Sequence, residues 1–521
     1  MRRTRSAFNP TRRRLVQSAA AWTLTALSGP QSTSAASRLR FPVDPFLLGV
    51  ASGSATADSL VLWTRLITSP DAPLDARDQA IPVEWELAGD SGMRKVIRRG
   101  VEYAAADWAH SVHVDVSGLS AGRDYWYRFV AGGQRSPIGR TRTLPPPNAR
   151  VERIRFAVAC CQNYEHGYYT AYRYMLDDAL DFVVHCGDYI YETAAGDSPV
   201  RSDGSGEAIT LDQYRARYAL YKSDPDLKAA HAAYPWFVTW DDHEVVNDYA
   251  GDSSYDQVGA AFLRRRAAAY RAYYEHMPLP RNARPHGPNM QLFGSRRFGT
   301  LLQLHMLDSR QYRSPLACLG PGDNEGAGAD CPELFDTKRT KLGYRQEAWL
   351  KEQLAASDAH WNVMVQGTPM AHVDLDPGPG VAYRRDAWDG YPVARQRFID
   401  TLVDTGANNP IVIDGDIHAF QIANLNARAN DSTSPIVASE LTTTSISSGG
   451  PAQADLDARR RANPNVLLSD STKHGYLLVD VAQSQTQSDL VTVDSVRRRA
   501  AERGLLARYG IEAGKPGPIK L

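Results

Sequence analysis

The stretch Ile411-Val412-Ile413-Asp414-Gly415-Asp416-Ile417-His418 reads as a buried strand that runs directly into ligand-type side chains. Its apolar run is continuous rather than alternating, as in strands covered on both faces of a layered α/β sheet. Two carboxylates and an imidazole follow at its carboxyl end, where open α/β sheets place their sites. The same arrangement appears upstream. Ile154-Arg155-Phe156-Ala157-Val158-Ala159 ends in Cys160-Cys161-Gln162-Asn163, and Phe182-Val183-Val184-His185 ends in Gly187-Asp188-Tyr189-Ile190-Tyr191. Trp236-Phe237-Val238-Thr239-Trp240 ends in Asp241-Asp242-His243-Glu244, and Leu301-Leu302-Gln303-Leu304-His305-Met306 ends in Asp308-Ser309-Arg310. Trp361-Asn362-Val363-Met364-Val365 is a further strand candidate. Helices are expected between these runs at residues 169–180, 260–275, 344–356 and 394–405. The alternation defines a layered α/β domain over residues 150–490, its sheets flanked by helices.

Taken singly, each strand end has an ordinary structural use. Gly-Asp opens turns, paired aspartates cap helices, and a cysteine after a strand is commonly core. Their joint occurrence at successive strand ends points instead to one convergent site. The residue types also cohere. Aspartate oxygens suit hard cations, whereas a Cys–Tyr–His–Asp mixture favours iron. Buried together without a cation, these acids would repel one another and lose solvation.

Other chemistries lack their marks. His243-Glu244-Val245-Val246-Asn247 has Asn where a zinc protease helix needs its second histidine. The chain carries no Gly-x-Ser-x-Gly elbow, Walker A loop, Gly-x-Gly-x-x-Gly or Cys-x-x-Cys pair. Its 521 residues hold 59 basic and 59 acidic side chains, so no global field argues for nucleic acid as a partner.

The first 36 residues read as a targeting segment, with Met1-Arg2-Arg3, then Thr11-Arg12-Arg13-Arg14-Leu15-Val16, an apolar run and Ser34-Ala35-Ala36. Thr11-Arg12-Arg13 before two apolar residues resembles a bacterial twin-arginine signal, which implies the Tat export machinery as a partner and a periplasmic or secreted enzyme. No later apolar stretch reaches transmembrane length. In an oxidising compartment Cys318 and Cys331, which flank a glycine-rich acidic loop, read as a disulfide.

Residues 41–144 differ in texture. Ser59-Leu60-Val61-Leu62-Trp63-Thr64, Pro82-Val83-Glu84-Trp85-Glu86-Leu87, Val112-His113-Val114-Asp115-Val116 and Tyr125-Trp126-Tyr127-Arg128-Phe129-Val130 have strand composition. This density of strands predicts an all-β, immunoglobulin- or fibronectin-like sandwich, closed off by Pro145-Pro146-Pro147. Residues 491–521, with Arg497-Arg498-Arg499, read as a basic C-terminal helix or tail, solvated or laid over the acidic cleft.

Together these blocks resemble the PhoD family of alkaline phosphatases and phosphodiesterases, within the calcineurin-like metallophosphoesterases. The stretches that carry the resemblance are Cys161-Gln162-Asn163-Tyr164, Gly187-Asp188-Tyr189-Ile190-Tyr191-Glu192, Trp240-Asp241-Asp242-His243-Glu244, Leu307-Asp308-Ser309-Arg310-Gln311-Tyr312-Arg313, Asp386-Ala387-Trp388-Asp389-Gly390-Tyr391 and Gly415-Asp416-Ile417-His418. The resemblance implies one Fe3+ held by Cys161, Asp188, Tyr191 and His418, with Cys160 as the ligand if the register slips by one. It implies Ca2+ held by Asp188, Asp242 and Asp416, and a second Ca2+ served by Asn247 or Asp241. His243 would face the leaving oxygen, Arg310 or Arg313 would clamp phosphate, and Trp388 and Tyr391 would wall the pocket or belong to the core. The implied substrate is a phosphate mono- or diester: a small molecule, a phospholipid or a cell-wall polymer. A phospholipase D-like phosphodiesterase is the alternative, and a surface-binding protein with structural metals the remote one.

Overall fold

Phe156, Val158 and Val183 from one sheet share a single apolar core with Val363, Ile411 and Ile413 from another, and this shared core sets the architecture. The strands Phe182–His185, Trp361–Val365 and Pro410–Asp414 are buried at every position, as continuous apolar runs require. The computed structural model describes residues 40–521 except 42, 70–79, 195, 197, 203, 320–325 and 377. The expected targeting segment at residues 1–36 and most of the glycine-rich loop lie outside the described residues. Cys318 and Cys331 form the expected disulfide.

One sheet has ten strands. At its centre Arg153–Ala159, Phe182–His185 and Pro235–Val238 run parallel, with His474–Ala482 antiparallel beside the first. The second sheet has seven strands, and Leu302–Met306, Trp361–Val365, Pro410–Asp414 and Ile436–Thr442 run parallel within it. The carboxyl ends of both parallel sets open onto one cleft.

The strand-rich reading of residues 41–144 matches the strands observed, but they are shared between two sheets. Val50–Gly53 pairs with Pro235–Val238, so Val50–Gly53, Leu60–Arg65 and Ser111–Val116 extend the ten-stranded sheet. Ile81–Ala88, Val96–Ala104, Asp124–Ala131, Gln134–Arg135 and Gly139–Arg142 form a separate five-stranded sheet.

Helices Gly259–His276, Tyr344–Ala355 and Pro392–Asp404 stand where periodicity places them. The helix expected at residues 169–180 shortens to Thr170–Met175. The basic C-terminal helix does not form. Residues 503–512 are a strand, with Ala507, Tyr509 and Ile511 buried at every second position and Arg508 paired across to Asp489 at 2.6 Å. Lys515–Lys520 then completes the sheet edge. No residue of this tail lines the large cleft. Among the described residues no helix is long and apolar enough to cross a membrane.

Candidate metal centre

Each strand must turn sharply to aim its ligand at a common point, and the backbone records that demand. Cys161, Asp188, Asp416 and His418 have φ values of 54°, 56°, 69° and 53°, all in the left-handed region. Such residues cost about 1–3 kcal/mol each and persist where the surroundings over-determine them, typically at functional sites. Gly187, at φ 122°, passes so close to Asp241 that an added Cβ would lie 2.4 Å from its backbone nitrogen.

The ligand atoms of Cys161, Asp188 and His418 lie within 4.8 Å of one another. Tyr191 Oη joins them, 3.0 Å from Asp188 Oδ2 and 2.9 Å from His418 Nε2. Asp188, Asp242 and His243 form a second such group, and Asp242, Asp386 and Asp416 a third. Asp188 is common to the first two and Asp242 to the last two, so the three make one chain of polar atoms. Cys160 turns away, its Sγ 3.6 Å from the Thr444 carbonyl, which leaves Cys161 facing the centre.

Supporting contacts fix these side chains. The Glu244 carboxylate accepts from the backbone N–H groups of Asp188 at 3.1 Å, Tyr189 at 2.7 Å and Asp241 at 2.9 Å, tying two ligand loops together. His418 Nδ1 donates to the Gly449 carbonyl at 2.8 Å. A carbonyl only accepts, so Nδ1 carries the proton and Nε2 is left as a donor to metal. Burial lowers the His418 pKa to about 4, keeping the ring neutral.

The donor set fits metal ions. Asp188 Oδ1 is buried without a hydrogen-bond partner. Burial, then the neighbouring Cys161 and Asp242 charges, push the Asp188 carboxyl well above the usual carboxylate range. Burial followed by Asp241 and Asp386 does the same to Asp416. Cations supply the charge and coordination that these groups lack.

His243 sits at the edge of the centre with its ring centroid 4.1 Å from that of Tyr191. Its Nδ1 donates to Glu192 Oε2 at 2.7 Å, leaving Nε2 for the cleft. Burial opposes the imidazolium, but Glu192, Asp242 and Asp188 outweigh it and raise the His243 pKa well above the ordinary histidine value.

Arg310 and Arg313, expected to clamp phosphate, lie beside the carboxylates and not among the residues that line the cleft. Both side chains are fully buried behind the carboxylates. Arg310 bonds Asp241 Oδ1 and, at 2.5 Å, Asp386 Oδ1, while Arg313 reaches the same Asp386 oxygen at 2.6 Å and the Tyr249 carbonyl at 2.8 Å. Most of their donors are taken by the protein, but Arg310 Nη2 has no hydrogen-bond partner among the described residues and lies 3.4 Å from Asp242 Oδ2 and 3.8 Å from Asp416 Oδ1. The cations lining the cleft of about 720 Å³ are Arg384, Arg385 and Arg459. Asn247 also lines it, whereas Asp241 is held by Arg310. Trp388 and Tyr391 belong to the core, donating to Gln366 Oε1 at 2.8 Å and the Ser314 carbonyl at 2.7 Å. Asp308 is likewise internal and accepts from Trp240 Nε1 at 2.9 Å.

Asp386, Asp248 and Glu192 were not singled out as functional by the sequence. Glu192 directly follows Tyr191, so its place in a ligand block was the available signal. Asp386 opens the stretch Asp386-Ala387-Trp388-Asp389-Gly390-Tyr391 that carries part of the family resemblance, whereas Asp248 lies outside the strand-end pattern and nothing local marks it.

The model for PhoD-like phosphatases matches residues 156–490, and that for the PhoD-like N-terminal domain matches residues 32–145. The chain is 43% identical over 486 residues to alkaline phosphatase D of Bacillus subtilis (strain 168), covering 92% of this chain and 82% of that protein. A solved structure described as that of PhoD superposes with a TM-score of 0.89 at 42% identity, covering 92% of this chain and 93% of the other. With the site at its strand ends, the protein is therefore a phosphoric ester hydrolase of the alkaline phosphatase type. It belongs to the PhoD-like phosphatase family.

Proposed function

We propose that the protein is an exported, metal-dependent hydrolase of phosphate mono- and diesters, built on a metallophosphoesterase layer at residues 150–490 with an immunoglobulin-like β-region at residues 41–144, one of whose two sheets continues the ten-stranded sheet. The observation that carries this reading is the convergence of Cys161, Tyr191, His418 and Asp188, with Asp188 shared by a second acidic group. Cys161, Asp188, Tyr191 and His418 would hold Fe3+, and Asp188, Asp242 and Asp416 would hold Ca2+, with Asn247 available to a second Ca2+. Bound there, these ions supply positive charge to phosphoryl oxygens and acidify water.

The chain's own residues do the rest. Arg384, Arg385 and Arg459 line the cleft among its aspartates and offset part of the phosphoester's negative charge. His243, kept charged by Glu192, presents Nε2 where it can give a proton to the leaving oxygen. Tyr191 packs against the imidazole at a tilt and limits its rotation. The arginine-bearing start of the chain supports export by the twin-arginine route. Hydrolysis of an aryl phosphomonoester and an aryl phosphodiester, with and without chelator, tests the reading. Chelator-sensitive turnover of at least one supports it, and no turnover of either contradicts it.

A further inference from the structure

The catalytic cleft does not end at its polar wall. A second chamber adjoins it, sharing Arg384, Ile417, Pro451 and Arg459 with the cleft. Its remaining wall is chiefly apolar: Ala371, Val373, Leu375, Leu456 and Val466. Helix Gln453–Ala462 lies beside it and contributes Leu456, which is buried along with Ala371 and Val466.

Ile417 lines both spaces. It stands between Asp416 and His418, both in the left-handed backbone region and both in ligand groups of the centre. Consecutive Cα atoms are about 3.8 Å apart, so the wall of the apolar chamber begins within one residue of the reacting centre. A phosphorus atom held among Asp188, Asp242 and His418 would have one ester arm within reach of that chamber. Hydrolysis of a bare phosphoryl group makes no use of apolar room. A concave apolar surface beside convergent polar groups is the usual form of a subsite for an organic substituent.

We infer that this chamber is a substrate subsite: it takes the retained ester substituent of a phosphodiester, as a single short alkyl chain or the edge of one ring. The inference rests on the phosphoester reading above. The chamber is narrow, about 40 Å³ against about 720 Å³ for the cleft on the same measure, which suits one chain and not two. Leaving-group chemistry is unaffected: water adds its oxygen to phosphorus, the bond to the leaving oxygen breaks, the substituent keeps its own P–O–C linkage, and the proton of water is released.

The test is kcat/KM of the metal-replete protein for p-nitrophenyl alkyl phosphodiesters, which share one leaving group, with methyl, ethyl, propyl, butyl and octyl as the retained arm. The expected result is a rise of about two- to fourfold per methylene up to roughly butyl, the scale set by burying a methylene, then a plateau. Val373→Phe, which fills the chamber, should bring the butyl-to-methyl ratio close to one. Leu456→Ala, which enlarges it, should move the plateau to longer chains. Both variants are checked for native circular dichroism, and the wild-type series stands even if one fails to fold. Turnover of all esters with no dependence on chain length, or equal dependence in wild type and both variants, overturns the subsite alone. No turnover of any ester overturns the phosphoester reading instead.

Discussion

The Glu192 carboxylate accepts the Nδ1 proton of His243 at 2.7 Å, and Glu192 Oε1 also accepts from the Asn247 backbone N–H at 2.9 Å. One carboxylate thus fixes the ring's tautomer and ties its loop to the Gly-Asp ligand loop. Replacing His243 by Ala should lower kcat by about 10²–10⁴-fold, the usual worth of a positioned proton donor. Glu192→Gln keeps the shape but removes the charge that lifts the His243 pKa. The alkaline limb of the kcat profile should therefore move to lower pH, with KM little changed. An unmoved limb would show that Glu192 is not setting that proton.

Stability of the metal-stripped protein should fall as pH rises from 7 to 9. The His243 pKa is raised in the folded state, so its contribution is complete below about pH 6.5 and is lost as pH climbs through the folded value. Asp188 and Asp416 are also raised, so the native chain holds protons that the unfolded chain has released, and the sign is the same. Asp242, held down to about 2, and His418, to about 4, finish titrating below this window. Thermal melts should show a falling Tm in chelator and a flatter, higher one with metal. Lys222, which burial lowers to about 7, pulls the other way, so the assignment is read from the difference between wild type and His243→Ala: an identical pH dependence in both would contradict it.

Arg310 binds Asp241, Asp386 and, at 3.4 Å, Asp242, from a fully buried position. Arg310→Ala would strand those carboxylates and should cost about 3–5 kcal/mol in denaturant unfolding, the scale for breaking a buried charge pair. Arg310→Lys should rescue poorly, because one ammonium cannot replace a planar fork. A variant of native stability with only a raised KM would mean that Arg310 touches substrate after all.

Glu244 holds the loops of Asp188 and Asp241 through three backbone N–H groups. Glu244→Ala should weaken metal affinity by about 10–100-fold, as loss of an outer-sphere partner does. Metal titration followed by activity or melting temperature reads this directly. Unchanged affinity would make Glu244 a purely structural brace.

The strand-end ligands were legible because buried strands advertise themselves. Continuous apolar runs at Phe182–His185 and Pro410–Asp414 locate the sheet, and the polar residues that interrupt them locate the site. Helices Leu211–Lys222 and Pro225–Ala233 were not legible by that rule. The first buries Tyr214, Arg217, Tyr218 and Lys222, so its inner face looks polar in sequence. Its Thr210–Gln213 capping box and the Asp224 cap of the second were the readable signals. The C-terminal strand reads as a helix when its charge is weighed above the period-two spacing of Ala507, Tyr509 and Ile511. The buried arginines illustrate another limit. Motif order places Arg310 and Arg313 near the centre, but only the packing shows that they face the carboxylates rather than the cleft.

The most direct measurement is the metal content of the purified protein, determined alongside its phosphoesterase activity for wild type and Cys161→Ser. Wild type should carry one iron and one or two calcium ions per chain, and activity should disappear with chelator and return with metal. Cys161→Ser should lose iron and activity while keeping its fold. A wild-type protein that is fully active after complete metal removal, or a Cys161→Ser protein that keeps both iron and turnover, would contradict the metal centre.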